Sequence, residues 1–177
     1  MTLQFSDADY IYKTEKELIG PYIWRDEPYK NEVHDKLESR VQVSGGVARG
    51  VFFRVTVMLR WPDSMMFQLE CDDALTRTHH PLYRLDVNPL APHSNRLYGS
   101  NDINGLFIEA GRNHEHIFYD SVKDDNTLRK GQKCAQQARQ VMKSFAKFEE
   151  ARDFVCDKLN IQNGHEIAAP TLQGYLL

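Results

Sequence analysis

Residues 83–120 read YRLDVNPLAPHSNRLYGSNDINGLFIEAGRNHEHIFYD and hold three of the seven histidines. Side chains i and i+2 of a β-strand share a face. In the strand expected around His114-Glu115-His116, the two imidazoles therefore stand side by side with Phe118 next in line, while Glu115, Ile117 and Tyr119 face the other way. In Tyr83-Arg84-Leu85-Asp86-Val87-Asn88 the apolar row is Tyr83, Leu85 and Val87, and the polar row is Arg84, Asp86 and Asn88. A polar row beside an apolar one predicts a sheet with one face in the core and one open to a ligand. His93 follows this strand. If the two strands are neighbours, Asp86, His93, His114 and His116 converge.

Working outward, residues 37–43 and 50–60 read as strands joined by the Gly-rich turn SGGVARG, and residues 65–71 as another strand after a turn at 61–64. Val51, Phe53, Val55, Val57 and Leu59 alternate with a mixed set, which predicts a core-facing row. Residues 72–81 read as a polar connection with His79 and His80 exposed. Residues 89–105 form a long loop without apolar periodicity, a length often functional. Residues 105–110 and 114–121 read as a final hairpin turned at Gly111-Arg112-Asn113.

Towards the amino terminus, residues 6–19 predict a short helix stopped by Gly20-Pro21. Residues 21–31 read as irregular. Tyr22, Trp24 and Tyr29 there are either a stacking surface for bases or rings pinning a loop to the core, the second being commoner. After Asp124 the spacing of Ala138, Val141, Met142, Phe145, Phe148, Ala151, Val155 and Leu159 becomes helical, giving one long helix or two broken near Ser144. Lys130, Lys133, Arg139, Lys143 and Lys147 would decorate its solvated face. The tail ends in Tyr175-Leu176-Leu177, apolar enough to tuck against a partner. Segregated order, helix then strands then helix, predicts one α+β domain over 1–177, with an antiparallel sheet of four to six strands and amino- and carboxy-terminal helices on one face.

The chain has 177 residues, 41% hydrophobic and 27% charged, with a formal net charge of −3 and a pI near 6.2. That balance argues against a surface that grips nucleic acid everywhere, yet allows a local basic patch. Three widely spaced cysteines with no CxxC fit free thiols in a reducing compartment. No basic region leads into an apolar run at the amino terminus, and no apolar run nears the roughly 20 residues that span a bilayer. The expectation is a cytoplasmic protein with no membrane association. Phosphate-loop, dinucleotide, zincin and nucleophile-elbow motifs are absent.

The His-x-His pair admits three readings. Two imidazoles on one face, completed by His93 or Asp86, would bind zinc, iron or manganese, with His93, His114 and His116 as candidate ligands. Alternatively His114 and His116 act as acid and base across a phosphodiester, with Arg84 or Arg112 offsetting the developing charge. In RNA the 2′-hydroxyl would be the nucleophile, and no cofactor would be needed. In the third reading the pair is a hydrogen-bonded feature without a chemical role. Asp86, a residue type disfavoured in strands, either orients a histidine or anchors the turn near Asn88-Pro89.

The run Arg84-Leu85-Asp86-Val87-Asn88, then Pro92-His93, then His114-Glu115-His116-Ile117-Phe118 resembles a pattern in small bacterial proteins of the TumE type, toxins of toxin–antitoxin modules. The resemblance covers about 35 residues near the middle of the chain, with an echo at Phe154-Val155-Cys156. This chain departs from the pattern in the insertion at 97–106 and in having Asn113, not Pro, before His114. The resemblance implies growth inhibition by attack on RNA, with Asp86, His93, His114 and His116 at the shared positions. The leading expectation is an RNase-like toxin or defence or counter-defence component. Its catalytic residues would be His114, His116, Asp86 and His93, and its substrate contacts Arg84, Asn88, Arg112 and Tyr119. Its partners would be RNA or a nucleotide and a protein such as an antitoxin or larger complex. The alternatives are a non-catalytic regulator or inhibitor that binds a protein, and a metal-dependent enzyme.

Overall fold

The computed structural model describes residues 3–29, 32–45, 50–72, 78–98, 102–122, 128–129 and 131–171. Tyr175-Leu176-Leu177 and Lys130 lie outside the described residues, as does the side chain of Tyr29. The order is α1 (Phe5–Lys13), β1 (Lys16–Ile19), β2 (Arg25–Tyr29), β3 (Glu32–Val43), β4 (Val51–Met58), β5 (Trp61–Asp72), β6 (His79–Val87), β7 (His93–Ser94), β8 (Phe107–Ile108), β9 (His114–Ile117), β10 (Ala138–Gln140) and α2 (Phe148–Lys158). Short 3-10 turns occupy Phe118–Ser121, Gly131–Ala135 and Gly164–Glu166.

Eight strands form one antiparallel sheet in the order β1-β3-β4-β5-β6-β9-β10, with β2 also paired to β3. The sheet is larger than the four to six strands expected, because both termini of the sheet were read as something else. The segment 14–19 is not the end of a helix: α1 stops at Lys13 and β1 pairs with β3. Residues 25–29, expected to be irregular, are β2, and residues 61–64, expected to be a turn, begin β5.

Cross-strand register sorts the side chains into two faces. Leu37, Val55, Phe67, Leu85 and Glu115 align across β3, β4, β5, β6 and β9, beside the row Phe53, Leu69 and Tyr83. These apolar residues are buried and form the core under both helices. Phe148 of α2 packs on Phe67, and Tyr12 of α1 on Tyr83. The helices therefore share one face, as the segregated element order predicts. On the opposite face the rows read Lys36, Thr56, Met66, Asp86, His114 and Glu38, Arg54, Gln68, Arg84, His116.

The predicted final hairpin does not form. β8 pairs with β7, and β9 lies between β6 and β10. The helical reading of 138–145 is also overturned: Ala138–Gln140 is an edge strand, and the helix is confined to α2. Trp24 donates its indole N–H to the Ala168 carbonyl and meets Phe148 edge-on, and the Tyr22 hydroxyl donates to the Leu18 carbonyl. These two rings pin the loop rather than present a stacking surface. Cys71, Cys134 and Cys156 are buried and form no disulfide. Among the described residues, no helix is long and apolar enough to cross a membrane.

One buried charge ties the two helices together. The Lys16 ammonium is fully buried and donates to the carbonyls of Tyr12 (3.0 Å), Thr14 (2.5 Å) and Leu159 (2.6 Å), at the carboxy-terminal ends of α1 and α2. Cations are favoured at such ends. Burial nevertheless pulls its pKa down from 10.5 to about 8. The folded chain thus gives up this proton before the unfolded chain does, so between about pH 8 and 10.5 the unfolded state binds more protons and stability from this group rises with pH. Lys16→Met strands three carbonyls and is expected to lower stability by about 2 kcal/mol at pH 7. In urea titrations the gap between wild type and variant should widen from pH 8 to pH 10. A gap that is constant or shrinking would contradict the assignment.

Candidate functional site

Neighbouring strands β6 and β9 place Arg84 opposite His116 and Asp86 opposite His114. This register brings three side chains, through four nitrogens, onto one oxygen. Oδ2 of Asp86 lies 3.2 Å from His114 Nε2, 3.1 Å from His116 Nε2, and 2.8 and 2.7 Å from Arg84 Nε and Nη2. Arg84 Nη2 also lies 2.9 Å from His116 Nε2. Burial alone would raise the Asp86 pKa. The Arg84 guanidinium, with His116 beside it, outweighs burial and holds the carboxyl well below its usual range.

His93 arrives from outside the main sheet, on the two-residue strand β7. Ring centroids are 5.3 Å apart for His93 and His114, 4.8 Å for His93 and His116, and 5.2 Å for His114 and His116. One ring nitrogen from each lies within 4.8 Å of the others. The structure therefore brings together Asp86, His93, His114, His116 and Arg84.

The segment carrying His93 is held by Asn95. The buried Asn95 amide donates to the carbonyls of Ile103 and Ala138 (2.8 Å each), and its oxygen accepts the Ala138 N–H at 2.7 Å. That oxygen also lies 3.0 Å from His93 Nε2, which assigns the His93 proton to Nε2. His114 Nδ1 faces the Arg112 carbonyl at 3.0 Å and is assigned as a donor. His116 is 1% exposed, and its Nε2 faces both Asp86 Oδ2 and Arg84 Nη2. Since Arg84 Nη2 already donates to Asp86, and a proton on Nδ1 would be a buried N–H with no acceptor, the proton is placed on Nε2 toward Asp86, which leaves Nδ1 as a buried lone pair with no partner. A stranded lone pair is tolerated better than a stranded N–H. Burial drives the His116 pKa down to about 4, and burial together with His114 lowers that of His93. Both rings are held neutral.

The cluster lies at one end of a cleft of roughly 1010 Å³ on the polar face, walled near His93 by Leu90 and Pro92 and floored by Met66 and Gln68. His93 and His114 line it, but His116 is not among its lining residues. Strands sit about 4.8 Å apart, so from β3 to β9 the floor runs on the order of 19 Å. Lys36, Arg54 and Arg84 line it too, paired with Glu27, with Glu38 and Glu70, and with Asp86 respectively.

The other expected substrate contacts sit elsewhere or act otherwise. The Tyr119 hydroxyl donates to Asp9 of α1, away from the cluster. Asn88 adopts φ 44°, takes the Asn113 side-chain oxygen on its backbone N–H, and donates to the Asp63 carbonyl, as a turn residue does. Arg112 is exposed, and its contribution to the cluster is its carbonyl. His80 is buried, contrary to expectation, because a bulge opposite Leu69-Glu70 resets the alternation in β6 and pairs His80 with the core residue Cys71. His79 is exposed and makes a second cluster with Glu70 and Asp72.

Sequence reasoning missed Asn95 and Glu115. Glu115 backs the pair on the core side, accepting from both Lys158 (2.6 Å to each oxygen) and the Tyr83 hydroxyl (3.0 Å). The period-two pattern placed Glu115 on the inner face, which flags a buried carboxylate needing partners; nothing local flags Asn95.

Asp86→Asn removes the charge that three side chains share, and is expected to cost about 3 kcal/mol. Arg84→Met combined with Asp86→Asn should cost less than the two singles summed, since each single leaves the other partner stranded. Additive costs in denaturant melts would contradict the coupling. No family model matches the chain, and no curated protein or solved structure is significantly similar to it.

Proposed function

We propose that this chain is an enzyme directed at a phosphodiester, with RNA as the substrate to which its parts are best suited, and with the histidine cluster at the cleft end as its reactive centre. The observation that carries the reading is the convergence of three imidazoles and a guanidinium around Asp86 beside an open cleft. Among the described residues, Arg84 spends Nε and Nη2 on Asp86, which leaves Nη1 for an anionic oxygen. A guanidinium fixed in this way is pre-organised to meet charge developing on phosphorus.

In the reaction, the 2′-hydroxyl oxygen bonds to phosphorus and the P–O5′ bond breaks. The hydroxyl proton ends on the departing 5′-oxygen. The groups that face the substrate are His93 and His114. His116, sealed and neutral, supports them instead of serving as the acid of a pair. The paired cations of the cleft floor form a charge-balanced surface, which fits contact with one or a few nucleotides better than a long polyanion.

Purified protein is expected to cleave single-stranded RNA, and His93→Ala, at the half-buried rim, should slow cleavage by at least about 100-fold with its circular dichroism unchanged. Expression of the wild type in a bacterial host should arrest growth, and expression of His93→Ala should not. Intact RNA after prolonged incubation, or full activity in folded His93→Ala, would overturn the reading.

A further inference from the structure

The tautomers of the cluster have a consequence beyond proton transfer. Each ring has one nitrogen facing an oxygen: Asn95 Oδ1 for His93, the Arg112 carbonyl for His114, and Asp86 Oδ2 for His116. The nitrogen left over is Nδ1 in His93, Nε2 in His114 and Nδ1 in His116. Histidines that ligate metals are held in this way, one nitrogen donating to a carboxylate, carbonyl or amide oxygen and the other presenting its lone pair.

Two further observations fit a cation at this site. His116 Nδ1 is buried without a partner in a side chain 1% exposed. His114 Nε2 lies 3.2 Å from Asp86 Oδ2 while its Nδ1 already faces a carbonyl, so both its nitrogens face acceptors and a neutral ring has one proton to give. That close pair of electron-rich atoms is satisfied by positive charge.

We propose that His93, His114 and His116 together bind one divalent transition-metal ion, with Asn95 and Asp86 as positioning residues and the fourth position open to the cleft. Three imidazole ligands select zinc, cobalt, nickel, copper or iron over magnesium and calcium, which prefer oxygen ligands. Three protein ligands and one open position are the arrangement of catalytic zinc sites. Bonds of about 2.1 Å in a tetrahedral centre set the ligand atoms ~3.4 Å apart, closer than the 4.8 Å within which one nitrogen of each ring lies here, so the rings draw inward on binding. His93 is placed to make that movement, being half-buried on a two-residue strand, whereas His114 and His116 are fixed in the main sheet. Asp86 neutralises Arg84, so the guanidinium beside the rings does not oppose the ion with a full charge. When bound, the metal supplies a Lewis acid for a substrate oxygen. This assignment rests on the same cluster as the phosphodiester reading but not on the substrate.

The test is a titration of chelator-treated, full-length protein with zinc(II), and with cobalt(II) followed by its visible absorption. One equivalent should bind with a dissociation constant below about 1 µM, and cobalt should show the intense d–d bands of a four-coordinate site. His93→Ala should weaken zinc binding by at least about 10-fold and abolish those bands, and Asn95→Ala should weaken it by about 10- to 100-fold. His79→Ala, in the separate Glu70-Asp72-His79 cluster, should leave both readouts unchanged. No binding at 100 µM zinc or cobalt overturns the metal assignment. Equal affinity in His93→Ala, or loss in His79→Ala, also overturns it by moving the ion elsewhere. RNA cleavage by chelator-treated protein that binds no metal would sink this assignment and leave the phosphodiester reading standing. Stoichiometric metal without RNA cleavage would do the reverse.

Discussion

One carboxylate oxygen, Asp86 Oδ2, fixes the arrangement of everything that gives this protein chemical potential. Arg84, His114 and His116 all approach it, and none of the three is its sequence neighbour on the same face except Arg84. A buried anion of this kind is tolerated only when compensated from several sides. The antiparallel register of β6 and β9 supplies that compensation, since a shift of one residue would send both imidazoles to the helix face. The register is itself held from behind: Glu115, between the two histidines but on the other face, is gripped by Lys158 of α2 and by Tyr83 of β6. Hydrogen bonds on both faces of one short strand therefore lock the same alignment.

The rest of the fold supplies rigidity and access. Seven strands beyond β9 make a wide floor whose core side is sealed by two helices, and whose other side carries the polar cleft. The segment from Pro89 to Gly111 returns over that side to deliver His93, closed by a backbone bond from the Gly111 N–H to the Pro89 carbonyl (2.8 Å). Asn95 and Gln137 replace missing strand pairing with side-chain amide bonds, to Ala138 from Asn95 and to Arg96 from Gln137. Arg139 clamps Asp102 and Asp120 nearby. The described parts of this stretch thus form a braced arm that carries His93.

Much of this was legible from residue spacing. Alternation in residues 51–59 and 83–87 located the core rows of β4 and β6, and the His-x-His spacing set two imidazoles on the polar face. The errors have physical causes. Ala138, Val141, Met142 and Phe145 step by three and four, as in a helix, yet Met142 is 86% exposed and Ala138 is buried in an edge strand. Apolar spacing over so short a run does not separate the two states. β2 carries Asp, Glu and Pro in five residues, poor strand formers that only its pairing with β3 makes extended. Pairing of β9 with β10, across some twenty residues, has no local signature, and neither does the amide network of Asn95.

The most direct measurement is nitrogen-15 spectroscopy of the imidazole rings in metal-free protein near neutral pH. The account predicts fixed tautomers, with the proton on Nε2 of His93 and of His116, and Nδ1 of His114 protonated. Rings that average between tautomers as free histidine does, or a His116 with its proton on Nδ1, would contradict the convergence on Asp86 from which the rest follows.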